Sequence, residues 1–237
     1  MPVTGLYVVQ EPGTIASTIS SINDKITRQF PKVLGKWSIE YKLFRENPEI
    51  STPGRQGSQA HIDQYQQQPQ SKARFLSQLH LSTHDDDVFN LIDEPMSYSA
   101  ARAGIKSDKK VLAVFDKGMD SIIGAKLQSM WLLRQSMRAE GHVFAIGDSF
   151  LVRTANVTQN GTFKFLIIEV EYLASDDLDA SKEIIAGFIT KCGFPQGRLF
   201  FGDSLDIYRE PAEDPKKFGK IAHCLQYMEF FRMRPSG

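Results

Sequence analysis

The sequence has little that would mark it for an oxidising compartment, a membrane or a nucleic acid. It contains only 2 cysteines, Cys192 and Cys224, without zinc-ligand spacing; we expect reduced thiols in the core of an intracellular protein. Its 28 basic residues are balanced by 28 acidic ones, which disfavours autonomous binding to a nucleic acid backbone. No apolar run approaches the ~20 residues of a membrane span, and no secretory leader is visible. We therefore expect no contact with a membrane.

Sequence signatures of catalysis are also missing. The phosphate-binding Walker loop, the dinucleotide glycine fingerprint, the nucleophile elbow and the zincin helix do not occur. The 5 histidines are scattered, and none lies beside a cysteine at metal-ligand spacing. The sequence therefore predicts a chain that is not an enzyme and has no catalytic residues, no metal and no cofactor.

What the sequence does contain is a series of strand and helix patterns. The clearest is the pair of alternating runs on either side of Asn160-Gly161, a dipeptide typical of the type I′ turn of a β-hairpin. Gly147-Asp148-Ser149 predicts the turn before it. Strands are predicted at 4–10, 36–45, 73–82, 84–93, 109–118, 142–147, 149–159, 162–172 and 197–202; helices are predicted at 14–30, 120–138, 176–193 and 214–234.

The longest predicted helix covers residues 120–138. Its apolar side chains spread over more than half of its circumference, which implies burial on several sides. Trp131 lies in the middle of this stretch, so we expect it to be an anchor of the core. At the other helices, Thr14 and Asp214 are candidate N-caps and Pro215 suits a first turn.

Residues 46–72 differ in composition from the rest of the chain. They are rich in Gln, Pro, Gly and Ser and poor in core residues. This composition is typical of a long loop. We expect a mobile insertion within a single domain that covers residues 1–237.

The order of the predicted elements indicates the fold class. Consecutive strands are not separated by crossover helices, which disfavours a parallel sheet. The order favours an α+β fold with a single antiparallel β-barrel-like domain of roughly eight strands, flanked by helices.

Glu169 and Glu171 leave two functions open. Strand geometry puts both carboxylates on one face of residues 165–172. Inside a barrel such a pair can hold a divalent metal, as in tunnel-type metal-dependent triphosphatases, and Glu40 and Lys42 would be further lining. A tunnel enzyme needs a second acidic pair, and no predicted strand has one. We therefore expect both glutamates to face away from an apolar interior. The inward face would carry Leu166, Ile168, Val170 and Tyr172.

Several segments together resemble the family of subunit 20 of the Mediator complex, most of all its fungal branch. The resemblance covers most of the chain by order and spacing, and its most specific part is Asp120 to Tyr172. The residues that carry it are WSIEYKLFR at 37–45, DSIIGAKLQSMWLLRQ at 120–135, GDSFLVRTANV at 147–157, FLIIEVEY at 165–172 and LQYMEFF at 225–231.

This resemblance implies a function in protein interaction rather than catalysis. Members of the family are barrels that pair directly with Mediator subunit 18, and the C-terminal segment of subunit 8 tethers this pair to the head module. The resemblance implies a scaffold role in the nucleus, in a coactivator that acts on RNA polymerase II. Phe200 and Phe201, aromatic residues on a strand expected to be exposed, are candidates for contact with the partner.

Overall fold

The computed structural model describes residues 1–9, 15–47, 74–93, 110–202 and 217–232. Most of the predicted insertion at 46–72 lies outside these ranges, as do Thr14, Asp214 and Pro215. The strand predicted to end at Arg45 continues to Glu46.

Nine strands and four α-helices form the described part of the chain. None of these helices is long and apolar enough to cross a membrane. The strands are β1 (Val3–Val9), β2 (Lys32–Glu46), β3 (Phe75–Leu81), β4 (Asp87–Asp93), β5 (Lys110–Asp116), β6 (Trp131–Ile146), β7 (Phe150–Gln159), β8 (Thr162–Tyr172) and β9 (Arg198–Phe200). The helices are α1 (Ile15–Thr27), α2 (Gly118–Ala125), α3 (Leu178–Cys192) and α4 (Lys220–Arg232).

The strands pair in the order β5-β4-β3-β2-β6-β7-β8-β1-β9. The pairs β4–β5, β6–β7, β7–β8, β1–β8 and β1–β9 are all antiparallel. Within the described ranges the order is open, with β5 and β9 at its ends, so the sheet does not close into a barrel. The predicted α+β class is confirmed, with nine strands where roughly eight are expected from the pattern.

The residues group into two compact units. The first unit comprises Met1–Tyr41, Leu79–Asp85 and Ser136–Gly237, and the second comprises Lys42–Gln78 and Asp86–Gln135. That the whole chain is a single domain stays a prediction.

The first unit has an apolar core on one face of its strands. Helices α1 and α3 pack there against β1, β7 and β8, because each contributes a stripe of branched residues spaced at three or four positions. The residues of this core include Val3, Tyr7, Val9, Ile22, Ile26, Val152, Leu166, Ile168, Val170, Leu178, Ile185 and Ile189.

Helix α4 occupies the other face of these strands and is buried on nearly all sides. It contacts strands from well-separated parts of the chain: Phe231 stacks on Tyr41 of β2 at 4.7 Å between ring centroids, and Phe230 meets Phe165 of β8 edge-on at 4.6 Å. The sequence predicts a helix that begins near residue 214 and has one apolar face. Both parts of this prediction are wrong: Lys217 to Gly219 are not helical, and the helix is buried on nearly all sides. The buried residues are Ala222, His223, Cys224, Leu225, Gln226, Tyr227, Met228, Phe230 and Phe231.

The prediction of one helix over residues 120–138 is wrong. Helix α2 ends at Ala125, and β6 begins at Trp131. The stretch is rich in Met, Leu, Arg and Gln, which favour helices when nothing else decides. In the folded chain β6 lies between β2 and β7, so ladder hydrogen bonds on both sides override that local preference.

The second unit has a small apolar core of its own. Phe44, Leu76 and Ile123 are buried together, and Trp131 packs against them from β6. Trp131 is half-buried, so it contributes to this cluster but is not the fully enclosed helical anchor that the sequence predicts.

The predicted hairpin turn at Asn160-Gly161 and the predicted end of α3 at Gly193 are confirmed. Asn160 and Gly161 have φ of 51° and 76°, as a type I′ turn between β7 and β8 requires. Helix α3 begins after Asp177, whose carboxylate accepts a hydrogen bond from the backbone N–H of Ala180 at 2.9 Å, and ends before Gly193 at φ 62°. The two cysteines are free and buried, as expected.

The end of α1 differs from the predicted pattern. The helix stops at Thr27, and Phe30, predicted to extend its apolar face, has a positive φ of 53° and is 92% exposed. Pro31 follows immediately and cannot continue the helix.

Candidate functional site

The most unusual feature of the first unit is a set of charged side chains buried between β8 and α4. Glu169 has no exposed surface and Glu171 is 9% exposed. The prediction that both face away from the interior is therefore wrong. The physical reason is that β8 is covered on both faces. Residues Leu166, Ile168 and Val170 face the core of α1 and α3, and the alternate residues face α4.

Arg153 supplies the positive charge for both glutamates. It lies directly opposite Glu169 in the antiparallel register of β7 and β8, so the two side chains share a face of the sheet. Its Nη1 donates to Glu169 Oε1, and its Nη2 lies 2.7 Å from Glu171 Oε2. The planar guanidinium thus bridges the two carboxylates, an arrangement that a single lysine ammonium does not reproduce.

Helix α4 provides two more donors to Glu169. His223 and Tyr227 are four residues apart, so they project from the same side of the helix. His223 Nε2 lies 2.7 Å from Glu169 Oε2, and the Tyr227 hydroxyl donates to the same oxygen. Both rings are buried. We call Arg153, Glu169, Glu171, His223 and Tyr227 the Glu169 cluster.

His84 continues this set of contacts toward the turn between β3 and β4. Its Nε2 lies 3.0 Å from His223 Nδ1. Two protonated imidazoles would place N–H against N–H at that distance, so at most one of the two rings carries a second proton. With His223 Nε2 as the donor to Glu169, His84 Nε2 is the donor to His223 Nδ1 when both rings are neutral.

The electrostatics of the cluster keep Glu169 ionised although it is buried. Burial by itself raises the pKa of this carboxyl, but the charges of His223 and Arg153 and the hydrogen bonds from His223 and Tyr227 outweigh it and hold the pKa well below its usual range. Burial, and then the adjacent Glu169 charge, raise the pKa of the Tyr227 hydroxyl well above its ordinary value. Tyr227 therefore stays a neutral hydrogen-bond donor at neutral pH.

The chemistry available to this cluster is limited by its own contacts. Both oxygens of Glu169 accept hydrogen bonds from protein donors, and these three donors occupy most of the carboxylate's lone-pair sites, which a metal ion would need. In the described ranges no three His, Cys, Asp or Glu side chains are grouped closely enough to hold a metal ion. A tunnel enzyme would need an open space beside the carboxylates, and His223, Tyr227 and the body of α4 lie there instead.

Glu40 and Lys42, the further lining expected for a tunnel, do not join the cluster. Glu40 lies 3.5 Å from Arg138 in an exposed pair. Lys42 belongs to the second unit, where it pairs with Asp120 at 2.8 Å.

Phe200 and Phe201 are less accessible than the sequence suggests. Phe200 is 3% exposed and packs against Phe230 of α4 at 5.7 Å between ring centroids. Phe201 is half-buried and packs against the apolar core of the first unit. A role for these residues in binding a partner stays a prediction.

Sequence reasoning missed Arg153, His84, His223 and Tyr227 as members of one site. Two features of the sequence indicate that β8 and α4 are both buried. Residues 165–172 are apolar on both faces apart from the two glutamates, which is typical of a strand covered on both sides. The C-terminal segment 220–232 has no continuous polar face, which is typical of a helix buried all round.

A comparison with known families decides what the chain is. The model of the family described as the TATA-binding related factor of subunit 20 of the Mediator complex matches residues 1–232. The chain belongs to the Mediator subunit 20 family. The match extends over all the strands and the helix that carry the Glu169 cluster.

Individual fungal proteins support this membership. Mediator of RNA polymerase II transcription subunit 20 from Yarrowia lipolytica is 28% identical over 194 residues, covering 79% of this chain and 85% of that protein. The protein of the same name from Debaryomyces hansenii is 24% identical over 249 residues, covering 96% and 98%. These matches identify the chain as a Mediator component in RNA polymerase II transcription.

Similarity to solved structures is much weaker. One of them is described as a putative adenylyl cyclase from Hippeastrum, HpAC1, with a dominant triphosphatase activity. It covers 99% of this chain and 98% of its own, but at a TM-score of 0.41 and 10% identity. A likeness of this size assigns no activity, and the triphosphatase alternative gains no support from it.

Proposed function

We propose that the chain is a non-enzymatic scaffold subunit of the Mediator head module, working in the nucleus as the direct partner of Mediator subunit 18. The C-terminal segment of subunit 8 would join the same submodule. The observation that supports a non-catalytic function is that both oxygens of Glu169 are hydrogen-bonded, by Arg153, His223 and Tyr227. These side chains stabilise the packing of α4 against β8, and substrate binding would require that packing to be broken.

Association with subunit 18 can be measured with purified proteins. Co-expression of the full chain with subunit 18, followed by size-exclusion chromatography with light scattering, should give a one-to-one complex at micromolar concentration. We expect an interface of about 1,200 Å² or more, the size of stable specific complexes. A chain that elutes as a monomer in the presence of subunit 18 would contradict the proposal.

The subunit 8 segment provides a second arm of the same experiment. Its addition to the binary complex should give a ternary species. Omission of subunit 18 should leave the chain and the segment separate, since the proposal makes the pair the unit that is tethered. Binding of the segment to the chain alone would show that this subunit, and not the pair, binds the segment.

The enzyme alternative has its own assay. The purified chain, incubated with a nucleoside triphosphate or tripolyphosphate and Mn²⁺, should release no phosphate above the level of a heat-inactivated sample. Metal-dependent turnover that Glu169→Gln abolishes would establish the glutamates as catalytic ligands and overturn the scaffold assignment.

A further inference from the structure

The exposed apolar side chains of the described residues are concentrated in one part of the chain. Of 13 large hydrophobic residues that are exposed, 7 fall between positions 111 and 133, all in the second unit. Scattered apolar residues on a surface need no explanation, but a concentration of them is typical of a binding site. The seven are Val111, Val114, Phe115, Ile122, Met130, Leu132 and Leu133.

Three of the seven lie in or next to a groove in the second unit. Met130 is 43% exposed, Leu132 39% and Leu133 55%, and half-buried Trp131 lies among them. Residues of a half-buried strand normally alternate between apolar and polar. The four consecutive apolar residues Met130–Leu133, the last three of which begin β6, break this alternation, and exposed apolar surface of this kind is typical of an interaction site.

The groove has a volume of about 400 Å³, which is enough for a few apolar side chains. Trp131 and Phe44 provide aromatic surface, and Ile123 provides the buried floor. Aromatic residues in such a setting are the ones that most often dominate binding energy at protein interfaces. We call this the Trp131 groove. It is lined by Lys42, Phe44, Asp120, Ile123, Gly124, Gln128, Trp131, Leu132 and Leu133.

The charges of the groove indicate the chemistry of its occupant. Lys42 and Asp120 are its two ionised residues, and they pair with each other: Lys42 Nζ lies 2.8 Å from Asp120 Oδ1 and 3.0 Å from Oδ2. Because these two charges compensate each other, the groove presents no net charge to an occupant. A phosphate or an acidic peptide is therefore disfavoured, and an uncharged apolar segment is complementary to the groove.

We infer that the Trp131 groove is a docking site for an uncharged apolar segment of Mediator subunit 18. The inference rests on the proposed function, which makes subunit 18 the direct partner, and it adds the surface at which the two chains meet. Leu132 and Leu133 follow Trp131 in the lining of the groove, so an apolar segment that inserts beside the indole removes apolar surface of these residues from water.

The test is a binding measurement with matched variants of the full chain. Leu133→Glu places a charge in the groove at the most exposed of its leucines, and Ile184→Glu is the control, since Ile184 lies on α3 in the other unit with the same 39% exposure as Leu132. We expect Leu133→Glu to weaken binding to purified subunit 18 by tenfold or more in isothermal titration calorimetry. Ile184→Glu should leave the dissociation constant within twofold. Leu133→Met, which keeps the apolar volume, should bind like the wild type.

A spectroscopic readout locates the contact. The chain has 2 tryptophans, and Trp37 is 4% exposed, so 5-fluorotryptophan labelling gives one buried and one groove resonance in ¹⁹F NMR. Unlabelled subunit 18 should shift the Trp131 resonance and leave that of Trp37 in place. Thermal unfolding of each variant, within about 2 °C of the wild type, shows that the fold is retained.

The outcomes separate the inference from the proposed function. If the wild type binds subunit 18 and Leu133→Glu binds equally well, the groove is not the docking site and the proposed function stands. If the wild type does not bind subunit 18, the proposed partner itself is wrong. If the wild type forms a dimer that Leu133→Glu dissociates, a second copy of this chain is the occupant and the inference is overturned.

Discussion

His223 Nε2 on helix α4 lies 2.7 Å from Glu169 Oε2 in the middle of strand β8. This contact joins the last described helix to a central strand through a carboxylate with no exposed surface. A buried charge is tolerated only when other groups compensate for its lost hydration. Here Arg153, His223 and Tyr227 compensate together, so the stability of the first unit depends on all of them.

The first prediction concerns the charge of Glu169. Glu169→Gln leaves the Arg153 guanidinium with one carboxylate fewer in a site that excludes water. We expect the free energy of unfolding to fall by about 3–5 kcal/mol in urea denaturation, as when one partner of a buried ion pair is removed. Glu40→Gln is the control. Its pair with Arg138 is exposed, so it should cost below about 1 kcal/mol. Equal effects of the two changes would show that the buried ion pair contributes no more to stability than the exposed one.

The second prediction concerns the stability of the fold at acidic pH. The pKa of Glu169 is lowered in the folded state, so below about pH 4.3, the ordinary value for Glu, the unfolded chain binds the proton first. The stabilisation from Glu169 is therefore present above that pH and is lost as the pH falls further. The difference in unfolding free energy between wild type and Glu169→Gln should narrow between pH 5 and pH 3. A constant difference over this range would contradict the pKa direction.

A third prediction compares two phenylalanines with opposite surroundings. Phe231 is 5% exposed and stacks on Tyr41, so Phe231→Ala should lower the free energy of unfolding by about 3–5 kcal/mol. Phe30 is 92% exposed, and Phe30→Ala should change it by about 0.5 kcal/mol at most. Chemical denaturation of both variants measures the difference. A small effect at Phe231 would mean that α4 is not part of the stable core.

The fourth prediction compares two glycines. A Cβ at Gly141 of β6 would lie 1.7 Å from the backbone oxygen of Thr154 on β7, so Gly141→Ala must push the two strands apart. We expect it to lower the melting temperature by more than 5 °C. A Cβ at Gly187 within α3 would meet nothing within 4 Å. Gly187→Ala should therefore stabilise the helix by about 0.5–1 kcal/mol. A tolerated Gly141→Ala would show that the register of β6 and β7 adjusts.

The predictable parts of the fold are those whose signals are local. Asn160-Gly161 determines the hairpin, and Asp177 and Gly193 mark the ends of α3, since each acts on the backbone within a few residues of itself. The stretch from Trp131 to Arg138 lacks such a signal. Its residues favour a helix, and only pairing with distant strands makes it part of β6, so its conformation could not be read from the segment alone.

The Glu169 cluster could be predicted only in part. The sequence shows that Glu169 and Glu171 share a face of a strand. It does not show which face is covered, because that depends on α4, some fifty residues further along the chain. A carboxylate on a strand is usually on the solvent side. Here the usual assignment fails because His223 and Tyr227 arrive from a different part of the sequence and satisfy the charge.

Thr4 Oγ1 of β1 lies 2.7 Å from Gln226 Oε1 of α4, a contact between residues 222 positions apart. Protein synthesis proceeds from the N-terminus, so β1 leaves the ribosome long before the helix that satisfies it has been made. The inner face of β1, β7 and β8, with its glutamates and arginine, therefore stays uncovered during most of translation. The first unit therefore cannot complete its fold until residues 220–232 emerge.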